Sequence, residues 1–515
     1  MGVPGCPSYF WVMFVRQKKN KSGLVSVQVI DKSRGKYRVV KTIGSSVDPG
    51  ELSNLIAHAE TWIAEQSGIA EFDFDQVDKL FEQFLSGINS IRIIGPSLLL
   101  GGIFDAIGFN AIPDELFRKL VLARLCYPAS KLKTTEYLRR YEGFIVDEDQ
   151  VYRYLDKLNK TQKRQVQCIS YKHTQRVLGQ QISVVFYDVT TLYFEIKQED
   201  ALRKPGYSKD GKHQNPQILL GLLVSVGGYP LAYDIFHGNK FEGHTMMPVL
   251  NLFRRKYKLT QLVVVADAGL LSGSNIEALG LNGYQYIIGA RLKNEPANTR
   301  SAILNLELGD GKSVELPRND GNRLIVNYAA ARALKDNDNR QKAIRRLEKL
   351  VKADKLTKSH INNKGYNRLL KMEGEIKVAL DADKITADSQ WDGLKGYITN
   401  TNLPINEIIT NYSHLWQIEK AFRIAKTDLE VRPIYHRLKQ RIEAHICIAF
   451  TAYKVYKELE RLLREKQAGF SPEKAIEIAK TIYRINATKP KTREQVARVI
   501  ITTEEQRLLA NLFGF

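Results

Sequence analysis

The sequence predicts an α/β protein, and residues 181–291 are expected to form the first part of its core. Apolar runs at Val184–Tyr187 and Leu262–Ala266 are each followed by an aspartate, and such runs are typical of strands buried on both faces of a sheet. A helical stretch at Met246–Tyr257 lies between them, and a further helix and strand follow. This alternation of strands and helices indicates an α/β layout.

The regions before this core have different patterns. Residues 1–50 predict a small β module, because they contain three β-rich runs separated by turn residues, at Tyr9–Arg16, Leu24–Asp31 and Tyr37–Ile43. Residues 51–180 have helical periodicity punctuated by prolines. Within them, basic residues over Ser130–Leu158 are typical both of a DNA-reading helix-turn-helix and of a helical bundle that binds nothing. We expect residues 51–180 to be a helical DNA-end-binding region.

The regions after the core are a long irregular segment, at residues 292–404, and helical stretches beyond it. Within the irregular segment, Lys335–Lys371 contains 12 basic and 4 acidic residues. Such a stretch is typical of a solvated helix face, but it also fits a surface that faces phosphates. Residues 456–515 predict a helical C-terminal region, broken near Gly469–Pro472.

Charge favours a nucleic-acid partner. The 515 residues include 77 lysines and arginines and 56 aspartates and glutamates, which gives a formal net charge of +21, and this excess favours a polyanion. The longest apolar stretch, Ile218–Val226, is too short to span a bilayer, and the first residues lack the pattern of a signal peptide. We expect a cytoplasmic, nucleoid-associated protein without a membrane segment.

Cysteine usage limits the kind of metal site. The four cysteines lie far apart in the sequence, which excludes a zinc knuckle or ribbon and argues against a disulfide framework. Any metal is therefore expected to be held mainly by oxygen.

Two aspartates are candidates for such a metal site. Asp188 and Asp267 end apolar strands, where an ionised carboxylate is costly unless a partner compensates it. Either residue alone is more simply a local cap or ion-pair partner. Two of them at the ends of neighbouring strands favour a shared cation, and Mg²⁺ suits such carboxylates.

A third acid comes from a predicted helix at Tyr412–Leu429. At about 100° per residue, Glu419, Arg423 and Lys426 share one stripe with Tyr412, opposite an apolar side. A surface helix with charge pairs has the same pattern. Together with the two aspartates, Glu419 completes a three-carboxylate set that suits two divalent ions and in-line displacement at phosphorus.

These segments resemble bacterial insertion-sequence DDE transposases of the IS-four type. Tyr412, Glu419 and Lys426, spaced seven and seven, resemble the Y-R-E-K signature of that family, although Leu415 stands where the signature has arginine. The residues around Asp188 and Asp267 resemble the two blocks with the family's catalytic aspartates. A further block, Gly206-Tyr-Ser-Lys-Asp-Gly211, is also similar to one found in such enzymes.

The resemblance implies an RNase H-like fold, a mixed sheet flanked by helices. Its catalytic core would consist of residues 181–291 and 405–455, interrupted by an insertion domain at residues 292–404. It also implies cleavage of DNA at terminal inverted repeats and transfer of the 3′-ends to target DNA by a homodimer in a synaptic complex.

The site residues follow from the same comparison. Asp188, Asp267 and Glu419 would be catalytic and hold two Mg²⁺ ions, for which Mn²⁺ can substitute. The residues expected to contact DNA are Tyr412, Arg423, Lys426 and Trp391. Trp391 of the insertion suits stacking on a displaced base, although a half-buried sheet tryptophan has the same pattern.

Two other functions fit the same residues. One is a non-catalytic DNA-binding regulator on the same fold, in which the three acids do not converge. The other is an RNase H-like nuclease that cuts nucleic acid without strand transfer.

Overall fold

A computed structural model describes residues 13–32, 35–67, 74–158, 162–179, 182–195, 198–208, 211–270, 273–353, 355–356, 360–362, 365–373, 377–490 and 492–515. Parts of three predicted segments lie outside these residues, namely residues 9–12 of the first predicted strand, residues 209 and 210 of the Gly206–Gly211 block, and residues 354, 357–359, 363 and 364 of the basic stretch Lys335–Lys371. The chain divides into two compact units, one of residues 1–90 with 486–497 and the other of residues 91–485 with 498–515.

The first unit contains a three-stranded antiparallel sheet and two helices. Its strands, paired in chain order, and its helices are β1 (Met13–Lys19), β2 (Val25–Asp31), β3 (Arg38–Ser46), α1 (Pro49–Ser67) and α2 (Phe74–Ser86). Val27 and Val29 of β2 are fully buried with Ala59 of α1, because alternate residues of a strand point to one face. The next strand, β4 (Ile88–Ile93), crosses the boundary between the units.

Helices precede the main sheet of the second unit. They are α3 (Gly95–Ile107), α4 (Glu115–Cys126), α5 (Lys131–Tyr137), α6 (Glu148–Leu158) and α7 (Gln162–Leu178). Side chains of Asp114 and Ser130 cap α4 and α5 by accepting hydrogen bonds from backbone N–H groups of the first turn.

The first part of the main sheet agrees with the predicted alternation of strands and helices. Its elements are β5 (Val184–Tyr193), β6 (Gln217–Ser225), β7 (Pro230–His237), α8 (Met246–Tyr257), β8 (Val263–Ala266), α9 (Gly273–Leu281) and β9 (Gln285–Ala290). β5 is antiparallel to β6, and β6 to β7, whereas β8 and β9 run parallel to β5. The prediction of a mixed α/β architecture is confirmed.

The segment predicted as an insertion domain contributes strands to the same sheet. Its elements are α10 (Ala297–Leu304), β10 (Ser313–Pro317), β11 (Arg323–Tyr328), α11 (Ala330–Lys352), β12 (Leu370–Glu373), β13 (Lys377–Leu380), α12 (Ala382–Ser389) and β14 (Leu394–Thr399). The eight strands are ordered β10-β11-β14-β9-β8-β5-β6-β7. β14 therefore covers the edge that β9 would otherwise expose, while β12 and β13 form a separate hairpin.

Helices and two strands complete the second part of the chain. They are α13 (Ile405–Ser413), α14 (Trp416–Thr427), α15 (Lys439–Glu465), α16 (Pro472–Ala479), β15 (Tyr483–Thr488), β16 (Gln495–Ile500) and α17 (Glu504–Phe513). The prediction of a helical C-terminal region is wrong at β15 and β16, where isoleucine, valine and tyrosine favour strands.

Two hydrophobic cores lie on opposite faces of the main sheet. One face packs against α14 and the long, mostly buried helix α15, together with α3 and α4. The other face packs against α8 and α9. No helix in the described part of the chain is long and apolar enough to cross a membrane.

Candidate active site

Two aspartates lie at equivalent positions on neighbouring parallel strands. Tyr187 of β5 is paired with Ala266 of β8, and Asp188 and Asp267 are the residues that follow this pair. Neighbouring strands are about 4.8 Å apart. The fold therefore brings together two carboxylates that are 79 residues apart in the sequence.

Both aspartates belong to the sheet face that packs against α14. Phe186 of β5 and Val265 of β8 are buried in the core on that face. Because side chains alternate along a strand, Asp188 and Asp267, each two residues further on, point to the same side. Asp188 is half-buried and Asp267 is exposed. Asp267 directly follows β8, but Asp188 lies inside β5, which continues to Tyr193, so the prediction that Asp188 ends its strand is wrong.

Tyr412 of α13 contacts one of these carboxylates directly. Its phenol donates a hydrogen bond to Asp267 Oδ1 at 3.3 Å, and its ring packs edge-on against Tyr397 at 4.9 Å between centroids. Burial, together with the charges of Asp267 and Glu419, raises the pKa of the Tyr412 phenol. The phenol is therefore a protonated hydrogen-bond donor at neutral pH.

The prediction of one continuous helix from Tyr412 to Leu429 is wrong. α13 ends at Ser413 and α14 begins at Trp416. The backbone between them forms hydrogen bonds between residues three apart, where an α-helix joins residues four apart, from Leu415 N to Tyr412 O and from Ile418 N to Leu415 O. The break turns Tyr412 into the core, where it is 6% exposed. Tyr412 therefore does not share an exposed stripe with Glu419.

The other residues of the predicted stripe lie on α14. Glu419, in the first turn, and Arg423 are exposed, and Lys426 is half-buried. Lys426 lines a small cavity with Thr190, which lies two residues beyond Asp188 on the same face of β5. The helix therefore extends beside the strand that contains the first aspartate.

Glu419 acts electrostatically on the same side chains as Asp267. Both carboxylates raise the pKa of the Tyr412 phenol and oppose the lowering of the Lys395 pKa. However, no group of three or more His, Cys, Asp or Glu side chains within the described ranges is arranged to hold a metal ion. The two aspartates therefore lie next to each other, whereas Glu419 does not join them in a three-carboxylate cluster.

Lys395 of β14 is a residue that the sequence analysis missed. Its ammonium lies 4.5 Å from the centre of the Tyr412 ring and 5.5 Å from that of Tyr397. Burial and the nearby Arg332 lower the pKa of Lys395, whereas Asp267 and Glu419 act to raise it. A single lysine in a short β-like run matches no motif, so only the packing of β14 beside β9 identifies it.

Trp391 lies in the turn before β14 and packs against the second core. It also lines a cavity of about 310 Å³ together with Arg291, Lys293, Arg332 and Lys395. The position of Trp391 therefore fits both predicted roles, a half-buried structural tryptophan and a tryptophan that faces a nucleotide. The basic lining adds a feature that a purely structural tryptophan does not need.

A comparison with protein families identifies the part of the chain that contains these acids. The family described as "Transposase DDE domain" matches residues 179–454, more than half of the chain. These residues contain Asp188, Asp267 and Glu419. No curated protein matches the chain.

The solved structures to which the chain is similar include two transposase complexes. One is a piggyBac transposase synaptic complex with hairpin DNA, at 8% identity and a TM-score of 0.37 over 78% of this chain and 79% of that one. The other is a Mos1 transposase paired-end complex with left transposon end, at 13% identity and a TM-score of 0.16 over 33% and 56%. Neither score establishes a shared fold. By the match over residues 179–454, the chain belongs to the family of transposases that contain a DDE domain.

Proposed function

We propose that the chain is a DNA transposase that cuts at the terminal inverted repeats of an insertion sequence of the IS-four type and transfers the 3′-ends to target DNA. The observation that most supports this is the pairing of Tyr187 with Ala266, which sets Asp188 beside Asp267. Family membership gives the reaction class, and the net charge of +21 favours a DNA substrate.

We propose an RNase H-like core for residues 181–291 and 405–455. The strand order supports it, because the antiparallel strands β7, β6 and β5 continue into two strands, β8 and β9, that are parallel to β5. Residues 51–180 would bind the transposon end, and residues 292–404 would remain an insertion in sequence that extends the core sheet.

Two hard oxygen donors fit a divalent cation at this site. Asp188, Asp267 and Glu419 would hold two Mg²⁺ ions, for which Mn²⁺ can substitute, once Glu419 moves from the exposed side of α14 toward the two aspartates. Bound Mg²⁺ supplies Lewis-acid stabilisation for in-line displacement at phosphorus. Tyr412 orients Asp267 through its hydrogen bond.

Cations around the acids would position the DNA backbone. Lys395 on β14 lies near Asp267 and Glu419, which would otherwise repel phosphate, and Arg423 and Lys426 follow Glu419 on α14. In the cavity beside Lys395, Trp391 would stack on a displaced base. A homodimer would bring two such sites to the two ends of the element.

The test is a cleavage assay with a plasmid that carries two copies of the DNA flanking the reading frame. We expect the wild-type chain with Mg²⁺ to nick this plasmid and to produce joined strand-transfer products. Asp188→Asn should abolish cleavage and retain DNA binding, whereas Asp234→Asn on β7 of the same sheet should cleave normally. Cleavage by Asp188→Asn at the wild-type rate would contradict the proposal, and cleavage without joined products would indicate a nuclease.

A further inference from the structure

A second basic cavity lies away from the paired aspartates, between the α4–α6 helices and the segment that follows α14. Its volume is about 500 Å³, within the range of about 300–1,000 Å³ that is typical of ligand sites. Among the described residues, its lining includes the cations Arg124, Lys131, Lys133 and Arg432 and the carboxylates Glu148 and Glu430. Cations therefore outnumber acids around it.

Two of these cations are buried. Arg124 is 6% exposed and Lys131 is 5% exposed. Burial lowers the pKa of Arg124 to about 10, with Glu430 acting in the opposite direction. Burial and the charge of Arg124 lower the pKa of Lys131. Arg124 Nη1 donates a hydrogen bond to the Leu429 carbonyl at 3.4 Å. Two buried cations that repel each other still favour an anion in the cavity beside them.

Two histidines extend this cluster. His436 and His445 line the cavity with their rings 5.4 Å apart, and burial and the neighbouring Lys131 and Arg124 lower the pKa of both. His445 Nε2 bonds to the Val431 carbonyl at 3.1 Å. Because Nε2 must donate this bond, the buried Nδ1 is an acceptor, and it makes no hydrogen bond with the described part of the chain. The neutral histidines therefore add no positive charge, which comes from the lysines and arginines of the cavity.

Tyrosines at the cavity add neutral hydrogen-bond donors. Tyr435 is 68% exposed and Tyr127 is 40% exposed, and both line the cavity. Tyrosine hydroxyls, like lysine and arginine, commonly bond to phosphate oxygens of DNA. The cavity thus combines buried charge with donors that are accessible from solvent.

Strand β5 fixes how far this cavity is from the proposed active site. Phe194, just beyond the end of β5, forms a parallel bridge with Ile434, which lies between the cavity residues Arg432 and Tyr435. Six residues separate Asp188 from Phe194, which corresponds to about 20 Å along an extended strand. That distance spans about six base pairs of duplex DNA.

We infer that this cavity binds a backbone phosphate of the DNA strand, about six base pairs from the phosphate that is cut. The inference rests on the proposed function for the identity of the ligand, since the same chemistry also suits free inorganic phosphate. Lys131 and Arg124 would supply the buried charge, and Lys133, Arg432 and Tyr435 would contact the phosphate from the exposed side.

The test measures DNA binding by full-length variants with fluorescence anisotropy of a labelled 40-base-pair duplex over a range of salt concentrations. Lys131 is buried, so its replacement can prevent folding; we therefore use the exposed Lys133→Gln and the half-buried Arg432→Gln. Each lost phosphate contact should reduce the slope of log K against log salt by about 0.9. Tyr435→Phe should weaken binding about two- to tenfold without changing the slope.

The matched control is Lys172→Gln, which removes the same charge from an exposed position on α7 that does not line the cavity. It should leave the slope within error of the wild type. If Lys133→Gln and Arg432→Gln behave like this control, the cavity does not contact DNA and the inference is wrong.

A second measurement separates the two sources of phosphate. Inorganic phosphate at millimolar concentration is added while thermal unfolding is followed. Stabilisation by phosphate that is lost in Arg432→Gln, with unchanged DNA binding by that variant, would assign the cavity to free phosphate and overturn the DNA contact. Cavity-dependent DNA binding by a chain that never cuts DNA would overturn the proposed function and the distance to a cut phosphate, and would leave the phosphate contact of the cavity standing.

Discussion

Tyr412 donates a hydrogen bond to Asp267 across 145 residues of sequence. The contact joins the C-terminal part of α13 to the end of β8, so one candidate metal ligand is held by the tyrosine of the predicted signature. A buried phenol with a raised pKa donates to the carboxylate but does not bear a charge. We therefore interpret Tyr412 as a positioning residue for Asp267.

Tyr412→Phe tests this interpretation. The ring keeps its packing against Tyr397, and only the donor to Asp267 is lost, so the free energy of unfolding should fall by no more than about 1.5 kcal/mol. Without this donor the Asp267 carboxylate is less firmly oriented, so kcat for cleavage should fall about two- to tenfold while KM for DNA stays unchanged. The measurements are urea unfolding and cleavage kinetics. An unchanged kcat would contradict the positioning role.

The sequence was sufficient to predict the strands that contain Asp188 and precede Asp267, because long apolar runs occur where both faces of a sheet are buried. It was wrong to end the first strand at Asp188, since β5 continues to Tyr193. It was not sufficient to predict the break between Tyr412 and Glu419. Apolar periodicity continues through Ile418 and Phe422, so the helical pattern gives no sign of a break between α13 and α14. The contact of Tyr412 with Asp267, which accompanies this break, appears only in the structure.

The position of β14 in the sheet could not be predicted from the sequence either. Pairing between β9 and β14 joins residues about a hundred positions apart, and periodicity within a segment does not specify such a partner. Lys395 was missed for this reason. The roles of the acids and of Trp391 remain predictions.

Lys395→Met tests the cation that the packing revealed. The methionine keeps an apolar stem against Tyr412 and Tyr397, while the positive charge near Asp267 and Glu419 is lost. We expect weaker DNA binding and a salt slope smaller by about 0.9. Lys395→Arg keeps the charge and serves as the control. Equal slopes for Lys395→Met and the wild type would exclude a phosphate contact.

His436 gives a prediction for pH dependence. Burial, with Lys131, Arg124 and Arg441 adding to it and Asp156 opposing it, lowers its pKa from 6.5 to about 3. Between these values the unfolded chain takes up a proton that the folded chain does not. Stability therefore falls as pH falls through this range, by up to about 1.4 kcal/mol per pH unit from this group.

His436→Gln removes that titration. Urea unfolding at pH 7, 6, 5 and 4 should show a smaller loss of stability in acid for His436→Gln than for the wild type. His244→Gln replaces an exposed histidine of the same unit and should follow the wild type. Parallel pH curves for His436→Gln and the wild type would show that His436 is not held neutral by its surroundings.

Gly289 of β9 tests the geometry beneath Tyr412. A β-carbon at this position would collide with the Tyr412 hydroxyl and would approach the ring Cζ at 3.1 Å and Ala268 N at 3.3 Å. Gly289→Ala should therefore displace the phenol from Asp267 and lower the free energy of unfolding by about 1–3 kcal/mol. Tyr412→Phe removes the atom involved in the worst collision, so the cost of Gly289→Ala should be smaller in that background.

The four chains of this double-mutant cycle are compared by urea unfolding. Residues in direct contact usually show coupling energies of about 0.5–3 kcal/mol, and a value in that range with the smaller cost in the Tyr412→Phe background would support the contact. The approaches to the ring Cζ at 3.1 Å and to the backbone Ala268 N at 3.3 Å persist in the double variant, which should stay less stable than Tyr412→Phe alone. If the two substitutions lower the free energy of unfolding additively, the phenol does not lie over Gly289. The position from which Tyr412 donates its hydrogen bond to Asp267 would then be wrong.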